Sequence, residues 1–173
     1  VTDYCHALGD VTVEGELGTV CGVEDQIKVT EDEAALCDPG KAEEFVRRSG
    51  IDLFAPAIGT AHGVYKTKNP KLHFDLLQEV FKVLNGAEPT VPLVIHGGTG
   101  LQDDVVRRLV ACGGCKFNVS TELKHTLIDA TYGYISTHRD EYNPGRLDDA
   151  VSRATIQMVE RWIDVLGCAG KAG

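Results

Sequence analysis

The chain has 173 residues, 43% of them hydrophobic, and a formal net charge of −9. The length fits one domain, residues 1–173, with enough apolar material for a core. The acidic balance argues against nucleic acid and anionic membrane surfaces as partners, because both need basic patches. No apolar run approaches the ~20 residues that span a bilayer.

Taken in chain order, Val1 to His6 carries no initiator methionine and reads as the middle of a helix. The expectation is a piece of a longer chain. No basic-then-apolar leader is read, and a cytoplasmic location is expected. Thr12 to Leu17 alternates in β-forming residues and predicts a strand. Gly18 to Lys28, acidic and glycine-containing, predicts a loop. Thr30 to Glu33 has the T-x-x-E form of a capping box and predicts a short helix. Asp38-Pro39 is an N-cap followed by proline, opening a helix that Gly50 stops after Ser49.

Ile51 to Ile58 is almost continuously apolar, as in a strand buried on both faces. Leu72, Leu76, Leu77, Val80, Phe81 and Leu84 form a helical stripe. Val91 to Ile95 predicts another buried strand, and Asp103 to Cys112 a helix with Val105, Val106, Leu109 and Val110 inward. Cys115 to Val119 predicts a strand, Thr121 to about His138 a long helix, Glu141 to Gly145 a loop, and Leu147 to Leu166 the last helix. Strand, loop and helix in repetition imply an α/β fold with a parallel sheet and right-handed crossovers. Chemistry in such sheets sits in the loops after the strands' carboxyl ends.

Two segments there carry chemistry: Gly59-Thr60-Ala61-His62-Gly63 and His96-Gly97-Gly98-Thr99-Gly100. Each follows an apolar strand with a histidine and then a glycine. A strand-end histidine suits a metal, and glycine lets a phosphate approach the backbone. A catalytic zinc wants three protein ligands, and two histidines fall one short. His6, His73, His125 and His138 are placed on helices and away from the site. His96 to Gly100 and Asn118-Val119-Ser120-Thr121 each link a strand to a helix start, where amides and hydroxyls hold phosphate oxygens. The same glycines also suit simple turns, and Ser120 or Thr121 a helix cap.

Glu14 and Glu16 share one face of their strand. Two acids in a barrel interior need a cation, or a histidine to orient. Glu24 and Asp25 follow in a glycine-flanked loop, a solvated acidic turn on composition alone. Six cysteines at irregular spacing read as reduced thiols. Cys112-Gly-Gly-Cys115 lacks the second pair that a structural zinc site uses.

Val13-Glu14-Gly15-Glu16-Leu17-Gly18 and Cys21-Gly22-Val23-Glu24-Asp25 resemble the E-x-E-L-G…G-G-x-E-D signature of class II ketose-bisphosphate aldolases. Gly59 to Gly63, Leu93 to Gly100, Lys116 to Leu123 and the ending Gly167 to Ala172 match in order and spacing. The resemblance implies the C-terminal half, about four β/α units, of a (β/α)8 TIM barrel. It implies reversible aldol cleavage of fructose or tagatose 1,6-bisphosphate into dihydroxyacetone phosphate and glyceraldehyde 3-phosphate, with Zn2+ or another divalent metal.

By position it implies His62 and His96 as metal ligands, with Glu16 beside the ion. Gly63, Gly97, Gly98, Thr99, Asn118, Ser120 and Thr121 are implied to bind the substrate, and Glu24 to assist proton transfer. Glycine carbonyls are implied to take a monovalent cation, and the full-length form to be a homo-oligomer. Cys21 stands where the family carries glycine. Ser120 makes N-V-S-T, nearer the tagatose-type N-V-A-T than the fructose-type N-V-D-T. The family's Asp-His pair, carrying the acid/base and a third zinc histidine, belongs to the other half of the barrel. Without it, two further readings fit: an inactive fragment that binds a partner half or itself by an open sheet edge, and a metal-free sugar-phosphate-binding module.

Overall fold

A computed structural model describes the chain apart from residues 25, 26, 30–34, 64, 66, 68, 69, 87–89 and 173, and apart from the side chains of 22–24 and 27–29. The capping-box helix expected from Thr30 lies outside the described residues. The elements run α1 (Thr2–Ala7), β1 (Glu14–Leu17), β2 (Cys21–Glu24), β3 (Ile27–Val29), α2 (Pro39–Ser49), β4 (Leu53–Pro56), β5 (Ala61–His62) and α3 (Phe74–Asn85). They continue with β6 (Leu93–Ile95), α4 (Asp103–Ala111), β7 (Gly114–Phe117), α5 (Thr121–Thr137) and α6 (Pro144–Leu166). The chain divides into two compact units, Val1–Asn118 and Val119–Gly173.

In the first unit β1, β4, β6 and β7 form one parallel sheet in that order. Glu14 stands opposite Leu53 and Glu16 opposite Ala55; Phe54 faces Leu93, and Ile95 faces Phe117. The helices α2, α3 and α4 are the crossovers, as the alternation of elements requires. Leu93, Val94 and Ile95 are fully buried, which is why this central strand reads as unbroken apolar sequence. Phe54, Ile58, Leu77, Val80, Val106 and Leu109 complete the core. The local signals of α2 act as expected: Asp38 Oδ1 accepts the Gly40 N–H at 2.9 Å, and Gly50 ends the helix at φ 65°.

Alternation along β1 decides which face bears charge. Gly15 turns toward the helical layer, where a Cβ would come within 2.8 Å of Ile51 Cδ1 and 3.2 Å of Phe45. Glu14 and Glu16 therefore project from the opposite face of the sheet.

Two expectations are corrected. The segment Gly18 to Lys28 is not all loop: β2 and β3 pair antiparallel, and β2 runs parallel to β5, making a second sheet in the order β3-β2-β5. Cys21, Val23, Ile27 and Val29 are β-formers, but the runs are too short to read as strands without the partner that β5 supplies. The last helix also begins earlier, at Pro144. Asn143 Oδ1 accepts the Gly145 N–H at 3.0 Å, the same cap-then-proline device as Asp38-Pro39.

In the second unit Trp162 and Val165 of α6 are buried. Trp162 Nε1–H donates to Glu122 Oε2 of α5 at 3.0 Å, and Arg161 lies 3.2 Å from Glu122 Oε1. Among the described residues no helix is long and apolar enough to cross a membrane.

Candidate functional site

His96 is the first residue beyond β6 and is set between the two β1 carboxylates. Its Nε2 lies 2.9 Å from Glu14 Oε1 and its Nδ1 2.8 Å from Glu16 Oε2. The Glu16 contact is not aligned as a hydrogen bond, so Nδ1 is a buried nitrogen without a directed partner. The pair of acids thus has a histidine to orient, one of the two reasons such a pair requires. Lys116 of β7 donates from Nζ to Glu14 Oε2 at 2.7 Å and to Asn118 Oδ1 at 2.8 Å.

The charges follow this geometry. Glu16 at Nδ1 lifts the pKa of His96; burial works against the shift and Glu14 adds to it, leaving it above the ordinary imidazole value. For Glu14, burial favours the neutral acid, but hydrogen bonds from Lys116 and His96 outweigh it and hold the carboxyl below its ordinary value. The metal-free site gathers two carboxyl side chains about one imidazole and one lysine amine, the shifts favouring the protonated ring and the ionised Glu14.

His62 of β5 stands edge-on to His96, ring centroids 5.6 Å apart and planes at 61°. Two imidazoles on one tetrahedral ion with Zn–N bonds of about 2 Å have centroids roughly 5 Å apart, so the observed spacing suits a shared cation. Among the described residues no group of three or more His, Cys, Asp or Glu side chains stands ready to enclose an ion. The backbone of β2 runs beside His62, Gly22 opposite it in register. Glu24 ends that strand.

The two glycine motifs meet backbone to backbone. Gly97 has φ 69°, and a Cβ there would come within 2.7 Å of the Ala61 carbonyl carbon. Gly97, Gly98 and Thr99 are buried, and Gly63 follows His62 at φ 89°. Asn118 is tied to β6 by its N–H, which donates to Ile95 O at 3.1 Å. Ser120 and Thr121 belong to the second unit, where Thr121 opens α5 and Ser120 precedes it without a side-chain cap. The structure therefore gathers Glu16, His62, His96, Gly97 and Asn118 about one sheet end.

Sequence reasoning missed Lys116 and Tyr65. Lys116 was signalled by a charge in an otherwise apolar strand, two residues before Asn118 and so on its face. Tyr65 gave no local sign.

A family model for class-II fructose-bisphosphate aldolase matches residues 1–171. The chain belongs to the class-II fructose-bisphosphate aldolase family. Solved structures agree. A Coccidioides immitis protein assigned as a fructose-1,6-bisphosphate aldolase superposes with a TM-score of 0.82 at 29% identity, over 98% of this chain and 56% of that one. The YdjI aldolase of Escherichia coli K12 gives 0.77 at 31% identity, over 99% and 55%. Fructose-bisphosphate aldolase of Campylobacter jejuni gives 0.72 at 21% identity, over 95% and 53%, a likeness of fold. The chain spans about half the length of these aldolases, and its parallel α/β sheet is half of a (β/α)8 barrel.

Proposed function

We propose that this chain is the C-terminal half of a zinc-dependent ketose-1,6-bisphosphate aldolase and carries two of its metal ligands, His62 and His96. The observation that supports this most is the buried, undirected Nδ1 of His96 beside the His62 ring. A metal needs a neutral imidazole lone pair, and Nδ1, whose 2.8 Å contact with Glu16 is not aligned as a hydrogen bond, is the nitrogen it would take. Glu14 on Nε2 is the carboxylate that orients a ligating ring. When bound, the divalent ion supplies Lewis-acid polarisation of the substrate carbonyl.

The chain's own residues do the rest. Glu16, which lies 2.8 Å from His96 Nδ1, would adjoin the ion. Gly63, Gly97, Gly98, Thr99 and Asn118 bind the dihydroxyacetone phosphate portion, the glycines by letting phosphate reach backbone amides. A glycine carbonyl takes the monovalent cation. Glu24, on the strand running beside His62, assists proton transfer. The Asp-His pair of the other half completes the acid/base function, so the 173-residue chain alone is inactive or nearly so.

Zinc titration of this chain by calorimetry, with His62→Ala and His96→Ala, tests the reading. Each substitution is expected to lower zinc affinity at least tenfold. Unchanged affinity in both would end the metal assignment, and rapid cleavage of fructose 1,6-bisphosphate by the isolated chain would end the half-site assignment.

A further inference from the structure

Tyr65 lies where the two histidine-bearing loops touch. Its hydroxyl accepts the Ala61 N–H at 3.0 Å and donates to the Gly97 carbonyl at 2.8 Å. Ala61 precedes His62 and Gly97 follows His96, so one phenol joins the residue next to each imidazole. The ring also lies under the second loop: a Cβ on Gly100 would meet Tyr65 Cδ2 at 3.7 Å. Burial, against the Ala61 hydrogen bond and with a small contribution from Cys21, pushes the Tyr65 hydroxyl up to about 12. The group is a phenol at neutral pH, and its one proton is engaged by Gly97. It cannot pass that proton on without letting the loop go.

We propose that Tyr65 is a positioning residue, a clamp whose hydroxyl fixes the approach of the His62 loop to the His96 loop and hence the separation of the two imidazoles. The inference rests on the metal-site reading above and extends it to a residue outside the ligand set. The loops also meet sterically, through the Gly97 backbone against Ala61, and edge to face, through the two imidazoles. Sterics keep the loops from moving closer. The hydroxyl keeps them from moving apart. Without it, Ala61 N–H and Gly97 C=O lose a shared partner, and the arrangement of rings at 5.6 Å and 61° is no longer tied at that end.

The test is cobalt(II) titration of the 173-residue chain, read by visible d–d absorption and by circular dichroism, on wild type, His62→Ala, Tyr65→Phe and a fluorinated tyrosine at position 65. Tyr65→Phe is expected to weaken cobalt binding about tenfold and to alter the d–d band, while the fluorinated tyrosine restores both. A Tyr65→Phe protein with a lower Tm but wild-type affinity and spectrum would overturn the clamp and leave Tyr65 a structural residue. Wild-type cobalt binding that ignores His62→Ala would instead overturn the metal reading. The clamp is then judged by hydrogen exchange at the Ala61 amide, which is expected to be slow in wild type and at least tenfold faster in Tyr65→Phe. Equal rates would overturn it, and so would rapid exchange in wild type if the variant fails to fold.

Discussion

Glu14 and Lys116 stand on the two outer strands of the sheet, yet Nζ and Oε2 are 2.7 Å apart. Three strand spacings put β1 and β7 roughly 14 Å apart in a flat sheet. Two long side chains and the curl of the sheet close that span. His96 sits in the same cluster and shares Glu14 with Lys116.

Lys116→Met is expected to cost about 1 kcal/mol or less in urea unfolding, because the ammonium is 45% exposed and water screens it. The larger effect is on His96. With one partner gone, Glu14 turns wholly to the imidazole, and the His96 proton resonance is expected to titrate at higher pH than in wild type. A resonance that does not move would show that Lys116 and His96 do not compete for Glu14.

Stability of the metal-free protein is expected to depend on pH from both sides. Glu14 has its folded pKa below the ordinary 4.5, so its contribution is complete above 4.5 and is lost as pH falls through the folded value. His96 has its folded pKa above the ordinary 6.5, so its contribution is complete below 6.5 and is lost as pH rises through the folded value. Between 4.5 and 6.5 both act in full. Urea unfolding in a chelator across pH checks this. Glu14→Gln should flatten the acid limb and His96→Gln the alkaline limb.

The parallel sheet and its crossovers were legible because their signals are local. Asp38-Pro39 and Gly50 bracket a helix, and two-sided burial writes Val91 to Ile95 as apolar sequence. The histidines were legible because each follows an apolar run, His96 directly after β6 and His62 a few residues after β4. The hairpin of β2 and β3 was not, since its strands are short and take their stability from β5, some forty residues on. Nor was Tyr65 legible. Its partners are backbone groups of Ala61 and Gly97, and backbone groups leave no trace in residue identity.

The glycines of the two motifs are expected to differ in cost. Gly63→Ala meets nothing within 4 Å among the described residues, so the left-handed φ of 89° is what resists it, about 1 kcal/mol. Gly97→Ala adds to a similar φ a Cβ driven into the Ala61 backbone, where C and N stand at 2.7 and 2.9 Å. Backbone cannot rotate away as a side chain can. A loss of about 2–3 kcal/mol in urea unfolding is expected, and equal costs at the two sites would show that the loops separate freely.

The second unit can be read through the chain's one tryptophan. Trp162 is buried on α6, and its indole N–H is held by Glu122 Oε2 at 3.0 Å. Glu122→Ala leaves that donor without this acceptor, at an expected cost of about 1–2 kcal/mol. Glu122→Gln keeps an acceptor oxygen in place and loses the charge facing Arg161, a surface term worth less. Tryptophan emission should therefore shift to the red and the unfolding midpoint fall for Glu122→Ala, with Glu122→Gln close to wild type. If the two variants behave alike, the charge pair with Arg161 and not the indole bond joins α5 to α6.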